Sequence, residues 1–515
     1  MLHSRASGIL LHPTSLPGKF GIGELGQQAY DLIDFLEASY QQVWQILPLG
    51  PTGYGNSPYL CYSAFAGNPL LISLEKLVEQ GLLNRTDLAN LPNFPEQRVD
   101  YDLVVKTKLP LLKQASQKFP DQASQKALAE FKQFCTKNAN WLDDYALFMA
   151  LKEDHNGNDW TSWDAQIATR EPEALKNCRQ RLEKEIFYHQ YHQFEFFRQW
   201  QELKDYANQK GVQIMGDIPI YVAPDSADVW AHPEIFCLDE KTGKPALMAG
   251  VPPDYFSETG QLWGNPVYNW EQLQKEQFGW WVKRVEVILE YVDIVRIDHF
   301  RGFEAFWAVE APAETAIKGE WIEAPGEKFF QVLQQKLGDL PIIAEDLGVI
   351  TPEVEALRDQ FNLPGMKIAH FAFDSDRANP FLPFNYQTPN CVAYTGTHDN
   401  DTTVGWFQGR SPQEQERVVD YLGCVDPQGI HWSLVRLIQS SIANLAIVPL
   451  QDIIGLGNQA RMNFPGTAEG NWSWRYRSED LSEQWCNYLK KLTYLYGRAP
   501  SESNQTTDNS DQSTD

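Results

Sequence analysis

Eight short apolar runs, at residues 8–12, 42–48, 212–217, 292–298, 341–346, 366–371, 391–397 and 445–450, constrain this 515-residue chain more than any other feature. Strands buried on both faces read as unbroken apolar runs rather than as alternations. Such runs hand over to polar loops, and here helix-patterned sequence separates them, as in residues 25–38, where apolar residues recur at three and four. Eight strands alternating with helices are what a closed parallel (β/α)8 TIM barrel requires.

Two stretches exceed ordinary loops. Residues 49–211 are rich in Lys, Gln and Leu, with helical pattern at 123–151 and 182–209, and read as a mainly helical insertion after strand 2, at about 56–205. Residues 223–275 are rich in Pro, Gly and aromatics and read as loops and a lid over the barrel mouth after strand 3. On this reading 1–500 form a single barrel unit with insertions, while 501–515, built only of Ser, Glu, Asn, Gln, Thr and Asp, form a disordered polar tail.

Composition narrows the partners. A net charge of −25 without any Lys/Arg stripe argues against nucleic acid and anionic membrane surfaces, and no apolar stretch is long enough to span a bilayer. Seven scattered cysteines without a C-x-x-C pair indicate neither a disulfide framework nor a zinc site, so a reducing, cytoplasmic setting is expected. Aromatics make up 13% of the chain, which suits stacking on sugar rings and equally suits a large aromatic core.

In a barrel of this kind the chemistry sits at the carboxyl ends of the strands. Three of these ends carry acids in telling contexts. Asp298, in Val-Arg-Ile-Asp-His-Phe-Arg-Gly, shares a strand face with Arg296, which is expected to keep it ionised and nucleophilic. Glu345, in Ile-Ile-Ala-Glu-Asp-Leu-Gly, emerges from an apolar strand where burial raises its proton affinity toward that of a general acid. Its neighbour Asp346 points the other way and is expected to cap the following helix. Asp399 closes Gly-Thr-His-Asp-Asn, beside His398. A metal held by His398, Asp399 and Asp401 is the competing reading, without the usual ligand spacing behind it. Two carboxylates across a glycosidic bond are the equipment of a retaining glycosidase, and a third can orient the sugar.

Taken in order, these three motifs resemble the amylomaltase, or 4-α-glucanotransferase (disproportionating enzyme), family. Gly8-Ile-Leu-Leu-His-Pro-Thr-Ser, Gly53-Tyr-Gly-Asn-Ser-Pro-Tyr, Gly260-Gln-Leu-Trp-Gly-Asn-Pro and Arg461-Met-Asn-Phe-Pro-Gly-Thr extend the resemblance over about residues 5–480. It implies that Asp298 is the nucleophile, Glu345 the acid/base and Asp399 the transition-state stabiliser. Arg296, His299 and His398 then bind the sugar at the cleavage point, and Tyr59, Asp254, Trp263, Asn265, Asp374 and Asn471 line neighbouring sugar sites. Tyr54 and Tyr101 match a second, remote glucan groove. The implied substrates are α-1,4-glucans, with glucose as an acceptor, no cofactor or metal, and a monomer or homodimer. A hydrolase of the α-amylase type uses the same triad on the same barrel, and a non-catalytic glucan-binding protein would need only the aromatics.

Overall fold

The computed structural model describes residues 5–253, 257–467 and 469–501, and every side chain among them except that of Tyr54. Its strands are β1 (Ala6–Leu10), β2 (Val43–Gln45), β3 (Gln213–Ile218), β4 (Leu247–Val251), β5 (Gln261–Pro266), β6 (Ile294–Ile297), β7 (Ala305–Glu310), β8 (Glu320–Glu323), β9 (Ile342–Ala344), β10 (Gly365–Ile368), β11 (Cys391–Tyr394) and β12 (Leu445–Pro449). Each of the eight apolar runs contains or overlaps one strand of a single parallel sheet ordered β10-β11-β12-β1-β2-β3-β6-β9.

The two ends of that sheet meet. The Ala344 amide, at the end of β9, donates to the Pro364 carbonyl just before β10 (2.9 Å). Asp346 accepts from the Met366 amide of β10 (2.7 Å) and from Arg358 Nη1 (2.5 Å). The expectation that Asp346 caps a helix is therefore corrected. The helix Pro352–Gln360 starts from Thr351, and Asp346 is instead a buried tie across the barrel seam. Tight spacing also fixes Gly8, which pairs with Val43 on one side and Ile447 on the other; a Cβ there would lie 2.2 Å from the Val43 carbonyl oxygen.

Between β2 and β3 the chain is helical, chiefly Tyr101–Gln122, Gln125–Asp154 and Glu183–Gln209. Helix Glu183–Gln209 turns Tyr191, Phe194 and Phe197 onto its neighbours: Phe194 meets Phe131 (5.5 Å) and Phe134 (5.9 Å), and Phe197 meets Trp141 (6.1 Å). Much of the aromatic surplus is core, since Trp44, Trp200, Trp230, Trp281 and Trp432 are all fully buried.

The Pro/Gly-rich stretch after β3 is more ordered than loops alone. It supplies β4 and β5, which join β7 and β8 in an antiparallel sheet ordered β5-β4-β7-β8. Asp254, Tyr255 and Phe256, which fall between β4 and β5 in the sequence, lie outside the described residues, as does the tail beyond Ser501. Among the described residues no helix is long and apolar enough to cross a membrane.

Candidate active site

Strand β6 delivers the centre of the site. Arg296 is its buried polar member, and its guanidinium donates to Asp217 Oδ2 at 2.6 Å and to Asp298 Oδ1 at 3.1 Å. Asp217 comes from the neighbouring β3, in register with Arg296, and also accepts the Tyr59 hydroxyl (2.7 Å). One buried aspartate thus fixes both an arginine and a tyrosine. Asp298 itself keeps 28% of its side chain exposed, opening onto the cleft.

Immediately after Asp298 the backbone turns left-handed at His299 (φ 49°), a conformation that non-glycine residues adopt at a cost. The turn aims the His299 amide at Glu345 Oε2 (2.6 Å), while the Phe300 amide takes the Glu345 carbonyl (3.0 Å). Glu345, on the last step out of β9, is thereby locked beside Asp298. Burial pushes its carboxyl well above the usual glutamate range, and the Asp298 charge adds to this against the pull of Arg296 and the His299 amide. Asp298 is also pushed up, to about 7, because burial and the charges of Asp217 and Asp399 outweigh Arg296. Arg296 alone thus does not hold Asp298 low, in part because Asp217 claims the shorter of its two bonds. The two surroundings differ: Asp298 is bonded to the Arg296 guanidinium, which favours its ionised form, whereas Glu345 has the neutral His299 amide as its partner.

Asp399 completes the ring from β11. Its Oδ1 accepts from Asn463 Nδ2 (2.6 Å) and its Oδ2 lies 3.3 Å from His398 Nε2, with 44% of the side chain open to the cleft. His398 stacks on Tyr59 (5.2 Å between rings, 12° between planes), and Trp472 packs against both. Burial lowers the proton affinity of His398, and takes that of His299 down to about 3, so both rings are neutral. The loop holding Asp399 is pinned at both ends by a single buried carboxylate. Asp452 accepts from Thr395 Oγ1 (2.6 Å), Thr403 Oγ1 (2.7 Å) and the Thr403 amide (2.7 Å).

The remaining expected residues are placed unevenly. Trp263, on β5, presents its ring edge-on to His299 (4.8 Å, 87°), bringing the antiparallel sheet over the site. Asn265 is buried, with its Nδ2 on the Val222 carbonyl (2.8 Å). Asn471 is folded back on its own loop, accepting from the Phe464 amide (2.9 Å) and donating to the Thr467 carbonyl (2.9 Å). Asp374 is paired with Arg410. Tyr101 is only 9% exposed; its ring packs among Ile22, Leu70, Val99 and Val104 and its hydroxyl donates to the Trp472 carbonyl (2.8 Å), so in this structure it supports rather than lines a surface. Tyr54 falls in a short 3-10 turn, Tyr54–Asn56, and Asp254 lies outside the described residues. Arg301, beside the Asp298 motif, faces away, onto Trp321 (3.7 Å) and the Val349 carbonyl. Asp217, Asn463 and Asp452 were not singled out in the sequence. Asp217 carries the same signal as the other strand-end acids and Asn463 lies within the Arg461-Met-Asn-Phe-Pro-Gly-Thr segment, whereas nothing local marks Asp452.

Comparison with known proteins resolves what such a ring of carboxylates belongs to. The sequence profile described as 4-alpha-glucanotransferase matches residues 11–481. The chain belongs to the 4-alpha-glucanotransferase family. It is 63% identical over 499 residues to the 4-alpha-glucanotransferase of Synechocystis sp., covering 97% of this chain and 99% of that one. It is 51% identical to that of Thermus thermophilus over 486 residues, 93% and 96% of the two chains. Among solved structures, the amylomaltase from Streptococcus agalactiae in complex with acarbose superposes with a TM-score of 0.93 at 41% identity, covering 96% of this chain and all of that one. As a 4-alpha-glucanotransferase, the chain is an enzyme that transfers glucan segments, and its barrel is the family's barrel.

Proposed function

We propose that the transfer runs between α-1,4-linked maltodextrins by a retaining double displacement, with Asp298 as nucleophile, Glu345 as acid/base and Asp399 as stabiliser of the sugar in transit. The observation that carries this reading is the pair of neighbouring carboxyls in which the Arg296 guanidinium holds Asp298 and the His299 amide holds Glu345. Two carboxyls held by a cation and by a neutral amide are suited to two roles, the first as nucleophile and the second as acid. In the first step an Asp298 oxygen bonds to the anomeric carbon. The glycosidic C–O bond breaks, and its oxygen takes the Glu345 proton as the reducing-end fragment leaves. In the second, the 4-hydroxyl of an incoming glucan, or of glucose, gives its proton to Glu345 and its oxygen to the anomeric carbon, releasing Asp298. His299, His398 and Tyr59 are placed to hydrogen-bond or stack on the transferred sugar, and Asn463 and His398 to orient Asp399. Trp263 would help to shield the intermediate from water, favouring sugar as acceptor. A second, remote glucan groove would involve Tyr54 and Tyr101.

Seven free cysteines suit a cytoplasmic setting. The test is incubation with maltotriose, without cofactor and with a chelator, resolving products by chain length. Glucose with a ladder of longer maltodextrins, lost in Asp298→Asn, is the expected result. Maltose and glucose without longer chains would mean a hydrolase, and no turnover would leave a glucan-binding protein.

A further inference from the structure

Among the described residues five large aromatic side chains are exposed, Trp321, Phe384, Tyr421, Phe464 and Tyr494, and of these Phe384 and Tyr421 meet each other. Phe384 keeps 64% of its surface in solvent and Tyr421 keeps 37%. They face each other at 6.3 Å between ring centres with 35° between planes. Neither is on a loose segment. Phe384 sits on the short turn Pro383–Asn385 between buried Leu382 and Tyr386. Asn385 Nδ2 closes that turn on the carbonyls of Arg377 (2.9 Å) and Asn379 (2.8 Å), and Asn379 Nδ2 ties it to Phe371 (2.8 Å). Tyr421, on the helix Pro412–Leu422, rests on the edge of buried Phe373 (5.4 Å, 79°). Neither folding nor solubility calls for a rigid turn that displays a phenylalanine to water, whereas a binding surface does.

The pair's position connects it to the chemistry. The chain reaches Phe373 and Phe384 directly after β10, on the barrel face where Asp298, Glu345 and Asp399 stand. A run of ring contacts leads back: Phe373 to Trp406 (5.9 Å), then Trp406 stacked on His370 (4.6 Å, 10°), with His370 directly under Gly396 in the loop that carries Asp399. Alongside lies the Asp374–Arg410 ion pair, its guanidinium over Trp406. Arg410 also lies 3.6 Å from Glu414, so the ring faces are rimmed by one guanidinium and two carboxylates; apolar faces with such donors and acceptors at their edge suit a ligand with an apolar face and a rim of hydroxyls, which is the description of a glucosyl unit.

We propose that Phe384 and Tyr421 form an outlying stacking platform for the α-1,4-glucan chain, engaging sugars of long chains that short maltodextrins do not reach. This rests on the glucan-transfer reading above. The test compares maltotriose with long amylose as substrates for the wild type and the double variant Phe384→Ala/Tyr421→Ala, together with the molar mass of each protein in solution. The platform requires the KM for amylose to rise on the order of tenfold, the size that one or two lost aromatic contacts correspond to. Maltotriose kinetics, kcat and molar mass stay unchanged, and the ring-retaining Phe384→Tyr keeps the wild-type KM. An unchanged KM for amylose overturns the platform. So does an equal loss on both substrates, or a change of molar mass, which would make the pair a contact between copies of the chain. A failure of the transfer reading is distinct from all of these, because it shows as a wild type that does not rearrange maltotriose.

Discussion

At Glu345, burial outweighs both the His299 amide and Arg296, and the consequence reaches stability as well as catalysis. A carboxyl whose proton affinity is raised in the folded state favours folding only while protonated. Its contribution is present at low pH and is lost as pH climbs from the ordinary glutamate value through the raised one. Glu345→Gln removes that loss. Thermal melts should show the variant melting above the wild type, by a margin that widens from about pH 5 to about pH 8, while transfer falls roughly a thousandfold or more. A variant that melts lower across this window would show that the carboxylate is satisfied where it sits. Asp217 is the other residue to weigh at this scale. It stands at the end of an apolar run as legibly as Asp298 does. What the sequence does not display is that β3 and β6 are neighbours in register, which is what turns it toward Arg296.

Among elements, the seam between β9 and β10 carries the clearest liability. Asp346 is the buried side chain that joins them, through Met366 and Arg358. Asp346→Ala leaves the buried Met366 amide without its acceptor and Arg358 with the exposed Asp359 alone, so it should destabilise the fold by about 3 kcal/mol in denaturant unfolding. A loss under about 1 kcal/mol, the usual size of a cap, would return Asp346 to the capping role. The difference between these roles shows where sequence reading stops. The eight barrel strands are legible because each is apolar on both faces. The second sheet is not, because β8 is only four residues long with mostly exposed side chains, and β4 and β5 are half-buried among Pro and Gly. Local spacing presented Asp346 as a cap; its true partners lie 12 and 20 residues further on and meet it only when the barrel closes. Asp452, pinning the Asp399 loop from the end of β12, is hidden for the same reason.

For the whole molecule, buried neutral histidines set the acid limit. Burial takes His12, His299 and His370 down to about 3. The unfolded chain accepts protons there that the folded state refuses. Their contribution is therefore complete above the ordinary histidine value near 6.5 and is lost progressively as pH falls toward 3. Because the raised carboxyls of Glu345 and Asp298 act with the opposite sign over the same range, the comparison to make is between variants: as pH falls from about 6.5 toward 4, His370→Gln should lose less of its unfolding midpoint than the wild type. The account as a whole depends on Asp298 being the atom donor of a covalent intermediate. The direct measurement is to incubate Glu345→Gln with an α-glucosyl fluoride, whose leaving group needs little acid assistance, and to map the modified peptide by mass spectrometry. The account predicts one added glucosyl unit on the peptide bearing Asp298, abolished by Asp298→Asn; an adduct on Asp399 or Asp217, or turnover of the fluoride without any adduct in rapidly quenched samples, would contradict it.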